Sequence, residues 1–124
     1  MTNKKSWATW LIIILMALPI AAAGVGKLIG VEMMHQSFQL MGLPDWFGYF
    51  IGLCELAGAI GLLVPRLSSA AASGLLLIML GAVGFHIAYT PIADGVPALV
   101  LAVLAVIVVL ARKPQSIWLS GSKA

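Results

Sequence analysis

Four carboxylates are all the acid in these 124 residues, and the chain has one cysteine and two histidines. Charged residues make up only 9% of it, while 62% is hydrophobic and the mean hydropathy is +1.11. A water-soluble domain of this length cannot cover its surface with so few charges, so the soluble classes are excluded. The lone Cys54 rules out a Cys-x-x-Cys pair within the chain, and with it thiol oxidation by this chain alone. No carboxylate cluster of metal-binding type and no Ser-His-Asp spacing is present. An axial haem pair of His35 and His86 is the one metal arrangement left, and no metal is expected. Gly24-Val25-Gly26-Lys27 is not a phosphate loop, because Ala21 stands where glycine is required and Leu28 where Ser or Thr is.

What the chain has instead is long apolar runs, over approximately 7–29, 46–64, 68–90 and 92–111. Each is near the 20 residues that cross a hydrocarbon core of roughly 30 Å. None alternates as a barrel strand would, so helices are the only spans available to them. The expected fold is all-α: one transmembrane domain, a four-helix bundle with a short amphipathic interfacial helix between the first and second spans. The first run resembles a signal peptide in having Lys4 and Lys5 before it and Ala21-Ala22-Ala23 within it. Its apolar core is too long for that, and a retained span is expected.

Lys4, Lys5, Arg66, Arg112, Lys113 and Lys123 fall on one side of a four-span chain. Glu32, Asp45 and Asp94 fall on the other, with Lys27 at its border. By the positive-inside rule both termini are expected on the cytoplasmic side. The formal net charge of +3 then reflects topology and anionic lipid rather than nucleic acid. Trp7, Trp10 and Trp118 mark the inner interface, and Trp46, Phe47 and Tyr49 the outer one.

Residues 31–43 form the long outer connection. Val31, Met34, Phe38 and Met41 share one helical face, with Glu32, His35, Gln36 and Gln39 on the other, so a short interfacial helix is expected. It is either a plain tether or a lid over a polar site. Small residues recur at four-residue spacing (Ala22, Gly26, Gly30; Ala57, Gly61; Ala70, Gly74) and predict close helix packing.

Glu55 is the residue that most needs a reason. A carboxylate in the middle of an apolar run costs at least a few kcal/mol unless it faces the bundle and has a partner. From Trp46 it lies roughly 13 Å deep, and Lys27 lies roughly 30 Å along from Trp7, near the outer boundary. His86 is roughly 6 Å inside that boundary. If the three faces converge, they form an outward-opening pocket with Glu55 at its floor. Lys27 pairs with Glu55 directly or through His86 or a water; the alternative is a snorkelling Lys27, an interfacial His86 and a protonated Glu55. His35, Tyr89 and Asp94 are secondary candidates for the pocket.

Ala23-Gly24-Val25-Gly26-Lys27-Leu28 closes the first span, and Met41-Gly42-Leu43-Pro44 precedes the second. Within the second runs Ile51-Gly52-Leu53-Cys54-Glu55-Leu56-Ala57-Gly58-Ala59-Ile60-Gly61-Leu62-Leu63-Val64-Pro65. Over roughly residues 10–112 the chain resembles the DoxX-like family of small bacterial four-span proteins. The resemblance puts Lys27 and Glu55 at positions characteristic of that family. It also implies links to thiosulfate:quinone oxidoreduction or to thiol-stress complexes, and in an animal branch to receptor assembly.

The functional expectation is an accessory subunit of a quinone-linked or other redox membrane system. Its ligand would be a quinone or similar lipophilic molecule, and its partner a membrane or redox protein or a second copy of the chain. The alternative is a non-catalytic assembly or docking protein whose intramembrane charges hold a partner span. Proton-coupled transport ranks behind both, because four spans with no obvious repeat are few for a transporter. No set of residues assigns a reaction.

Overall fold

The computed structural model describes residues 3–113; Trp118 and Lys123, assigned above to the inner face, lie outside them. The described chain is all-α, with α1 Asn3–Leu28, α2 Glu32–Leu40, α3 Asp45–Leu62, α4 Ser68–Tyr89 and α5 Val96–Arg112. Thr90, extended before Pro91, stops α4, and a short 3-10 turn Ile92–Gly95 leads into α5, whose first turn holds Pro97.

Three stretches are long and apolar enough to cross a membrane: Trp7–Leu28, Ser68–Tyr89 and Ile92–Arg112. Four were expected. The helix that falls short is α3, whose 18 residues include Asp45, Glu55 and four glycines. At 1.5 Å per residue it is still about 27 Å long, and it packs beside α1 and α4. The exterior of the bundle is apolar, with Trp7, Leu18, Leu77, Ile87 and Leu110 all exposed. Large exposed aliphatic side chains on every long helix are what a hydrocarbon solvent allows and water does not.

The apolar core lies toward one end. Ile13, Met16 and Ile20 of α1 meet Leu62 of α3, Leu75 of α4 and Val108 of α5, all fully buried. Ala17, Ala59, Ala72 and Ala105 let the four helices close on them. On α5 a stripe of Ala102, Ala105, Val108 and Arg112 is buried, flanked by the partly buried Leu101, Leu104 and Val109, while Leu99, Val103 and Leu110 are exposed.

Polar groups close this end. The Ser68 hydroxyl donates to the Leu62 carbonyl at 2.7 Å, and Ser69 Oγ reaches across to the Val109 carbonyl at 3.1 Å. The Arg112 guanidinium lies over the Trp10 ring, 4.7 Å from its centre. The N-terminus of α1, the α3–α4 turn with Arg66, and the C-terminus of α5 therefore share one end. Lys27, α2, Asp45 and Asp94 occupy the other.

The small-residue stripes are only partly used. Ala22 and Ala57 are exposed, and nothing lies within 4 Å of where a side chain at Gly74 would begin. The backbones of α1 and α3 instead meet at Gly24, which belongs to none of those stripes. A four-residue spacing marks a face that can pack, but the neighbouring helix decides which face does.

Candidate functional site

α1 and α3 run antiparallel and touch through two glycines. A Cβ at Gly24 would sit 2.8 Å from the Gly52 carbonyl oxygen and 2.9 Å from the Leu56 nitrogen. One at Gly52 would sit 2.7 Å from Lys27 Cβ and 3.0 Å from the Gly24 oxygen. No side chain fits either place. Each charged residue stands three positions after one of these glycines, nearly one helical turn on, so backbone contact carries Lys27 over Glu55.

The pair is direct. Lys27 Nζ lies 2.7 Å from Glu55 Oε1, with Glu55 only 3% exposed. The ammonium does not approach Oε1 in hydrogen-bonding geometry, so that buried oxygen has a counter-ion but accepts no hydrogen bond. Two charges taken out of water together repay their desolvation only when each keeps the other, so neither can be removed cheaply.

α2 lies across this pair. His35 Nε2 is 2.9 Å from the Lys27 carbonyl oxygen. A carbonyl can only accept, so Nε2 carries the proton, and in the neutral ring Nδ1 is the bare nitrogen. That Nδ1 edge fills the hollow above Gly48, where any side chain would overlap the imidazole. Tyr49 packs on the other side of the ring at 4.5 Å between centroids. Met34 fills the space over Gly26, and Phe38 meets Phe47 edge-on at 5.5 Å.

His35 therefore faces inward with Met34 and Phe38, contrary to its expected place on the outward polar face. At 100° per residue, positions 34, 35 and 38 fall on one arc. The Lys27 carbonyl in the last α1 turn, which also accepts the Gly30 N–H at 3.2 Å, offers the imidazole a partner there.

Beside α2 is a half-open cavity of about 270 Å³, lined by Gly30, Glu32, His35, Phe38, Gln39, Pro44, Asp45 and Tyr49. It lies between α2 and the start of α3. The expected pocket with Glu55 at its floor is corrected: the carboxylate is buried against Lys27 and does not line the cavity, which lies at the helix ends.

His86 does not join the pair. Its Nδ1 lies 2.9 Å from Thr90 Oγ1, and the Thr90 hydroxyl is in turn within donating distance of the His86 carbonyl at 3.0 Å and the Pro91 carbonyl at 3.1 Å. The ring base also rests against Gly95, and α4 packs chiefly on α5. His86 thus closes the α4–α5 joint. Tyr89 is exposed and stacks on Phe85 at 5.1 Å, while Asp94 is exposed in the 3-10 turn. Neither lines the cavity. Among the described residues no three His, Cys, Asp or Glu side chains converge as metal ligands.

Of the cavity's lining only His35 is a site candidate from sequence; the polar residues missed are Glu32, Gln39, Asp45 and Tyr49. A signal for some of them was present: positions 32, 35 and 39 share a face of α2 at helical spacing. No curated protein and no solved structure matches this chain. The model of the DoxX-like family matches residues 11–110, across the glycine contact, the ion pair and its covering helix, and the chain belongs to the DoxX-like family.

Proposed function

We propose that this DoxX-like protein is a small accessory subunit of a quinone-linked or other redox membrane system, and that it takes up a lipophilic molecule by its polar head at the α2 cavity. On this reading α3 is a fourth span, and the base-rich end of the bundle faces the cytoplasm of a bacterial cell by the positive-inside rule. The observation that carries the proposal is the cavity at the acid-bearing end, walled by Tyr49, Phe38 and His35 and edged by Gln39, Glu32 and Asp45. At about 270 Å³ it falls just below the roughly 300–1,000 Å³ of sites for whole drug-sized ligands, so it suits a head group whose tail stays in lipid. The Tyr49 hydroxyl and Gln39 amide can donate to a quinone carbonyl, and the two carboxylates can pass protons. Any electrons come from the partner protein.

In nanodiscs, a short-tailed quinone analogue is expected to quench the tryptophan fluorescence of the wild type saturably. A Tyr49→Leu, Gln39→Ala double variant is expected to bind about tenfold more weakly or worse, the effect of losing two hydrogen bonds worth about 1 kcal/mol each. Identical titrations of the two proteins would sink the quinone reading.

A second reading, a non-catalytic assembly or docking protein, is favoured by one specific feature. An apolar groove of about 160 Å³ runs between α1 and α3 past Ile14, Leu18, Ala21, Ile60 and Leu63. Lys27 and Glu55 are committed to each other, so a partner span would seat in this groove and not on the charges. A photocrosslinker at Leu18 that captures one discrete membrane protein, with no saturable quinone quenching, would move the assignment to this reading.

A further inference from the structure

We propose that α2 is a hinged lid whose outward swing into the bilayer interface opens the Lys27–Glu55 pair to the aqueous phase. Both of its ends are glycines in the left-handed region, Gly30 at φ +83° and Gly42 at φ +74°. Other residues rarely adopt that conformation, and Gly42 has no neighbour within 4 Å to obstruct a rotation. None of the nine residues of α2 is buried, although its His35 is held on the backbone of Lys27, whose ammonium pairs with a carboxylate that is 3% exposed.

Its attachments can be withdrawn as a unit: one imidazole–carbonyl hydrogen bond, the ring in the Gly48 hollow, Met34 over Gly26 and the Phe38 edge contact. The lid also has somewhere to go. Met33 and Leu40 form a second apolar face, 78% and 64% exposed, and Ile29 at the first hinge is 73% exposed. A helix with apolar residues on two sides can exchange bundle contacts for the headgroup boundary of the membrane.

Gly30, Glu32, His35, Phe38 and Gln39, on α2 or its first hinge, line the cavity, so the same swing joins cavity and ion pair into one crevice. A polar head admitted there meets the ammonium and the carboxylate together, still paired. The lid itself requires no quinone, and its test uses none.

The test is zero-length crosslinking of Lys27 to Glu55 by a water-soluble carbodiimide in nanodiscs. The reagent activates the carboxyl, the lysine amine displaces it as the urea, and the protein is left with one amide and one water fewer. In a Cys54→Ser background, Gly26→Cys with Met34→Cys tethers the lid to α1 when oxidised. Crosslinking is expected to be at least about tenfold slower oxidised than reduced, because reaction through a local opening follows the open population. His35→Phe, which keeps a ring in the Gly48 hollow but loses the hydrogen bond, is expected to crosslink faster than the wild type. Equal rates in the oxidised and reduced protein would overturn the lid. So would no crosslink in any form or, should the tethered variant fail to fold, a His35→Phe rate equal to wild type.

Discussion

Gly52→Val is expected to force α1 away from α3 and to lower the resistance of the bundle to denaturant more than any other single apolar substitution in α3. A Cβ at this position would stand 2.7 Å from Lys27 Cβ and 3.0 Å from the Gly24 carbonyl oxygen. Neither is the free end of a side chain, so the strain cannot be relieved by a rotamer change and the helices must part. Overpacking a close contact costs about 1–3 kcal/mol and occasionally more. Here the separation also stretches the ion pair, so a loss of about 3 kcal/mol or greater is expected, with Gly52→Ala intermediate. The unfolding midpoint in a denaturing-detergent titration measures it. Gly74→Ala is the control: with nothing within 4 Å, it should be neutral or gain up to about 1 kcal/mol from helix propensity. A Gly52→Val midpoint equal to wild type would mean that the helices do not approach at this glycine.

The second large effect is expected from Lys27→Met. It strands Glu55, 3% exposed, without its counter-ion, and removing one member of a buried pair costs about 3–5 kcal/mol. The carboxylate can escape part of that penalty by taking a proton. Infrared spectra should therefore gain a protonated-carboxyl band in Lys27→Met that is missing from Lys27→Met with Glu55→Gln.

The reverse substitution is milder. Glu55→Gln leaves an ammonium in the last turn of α1, where its side chain is already 14% exposed and can turn toward the headgroups. Replacing both residues, Lys27→Met with Glu55→Leu, should recover most of the stability lost by Lys27→Met, since a buried pair exchanged for apolar contacts is often neutral or better. Additive losses in the double-mutant cycle would show that the two charges do not act on each other.

Both effects rest on residues visible in the sequence to different degrees. Glu55 stood out because a carboxylate inside an apolar run is expensive, and Lys27 because its run held the only matching base. Neither Gly24 nor Gly52 stood out as a contact. Gly52, one turn before Glu55, lets the α1 backbone come close. Polarity alone divides α2 so that His35 falls opposite Met34 and Phe38, and a hydrogen bond to the Lys27 carbonyl on a neighbouring helix outweighs that division. His86 seemed fit to reach the pair by its depth, but Thr90, four residues on, was a nearer partner on its own helix.

The sequence by itself determined the helical membrane class, the element boundaries to within a few residues, the DoxX-like family, and the end of the bundle at which Lys27 lies. The family follows from the resemblance of its motifs, and the rest from composition, from a rise of 1.5 Å per residue and from the stop signals of proline and glycine, all of which act along one chain segment. Only the tertiary structure decided that Lys27 meets Glu55 without a bridge, that α2 closes over them through His35, and that the open cavity lies at the helix ends. Those outcomes depend on the distance between helices far apart in sequence. Two glycines whose backbones touch set that distance, and a pattern read along one helix carries no measure of how near the next helix comes.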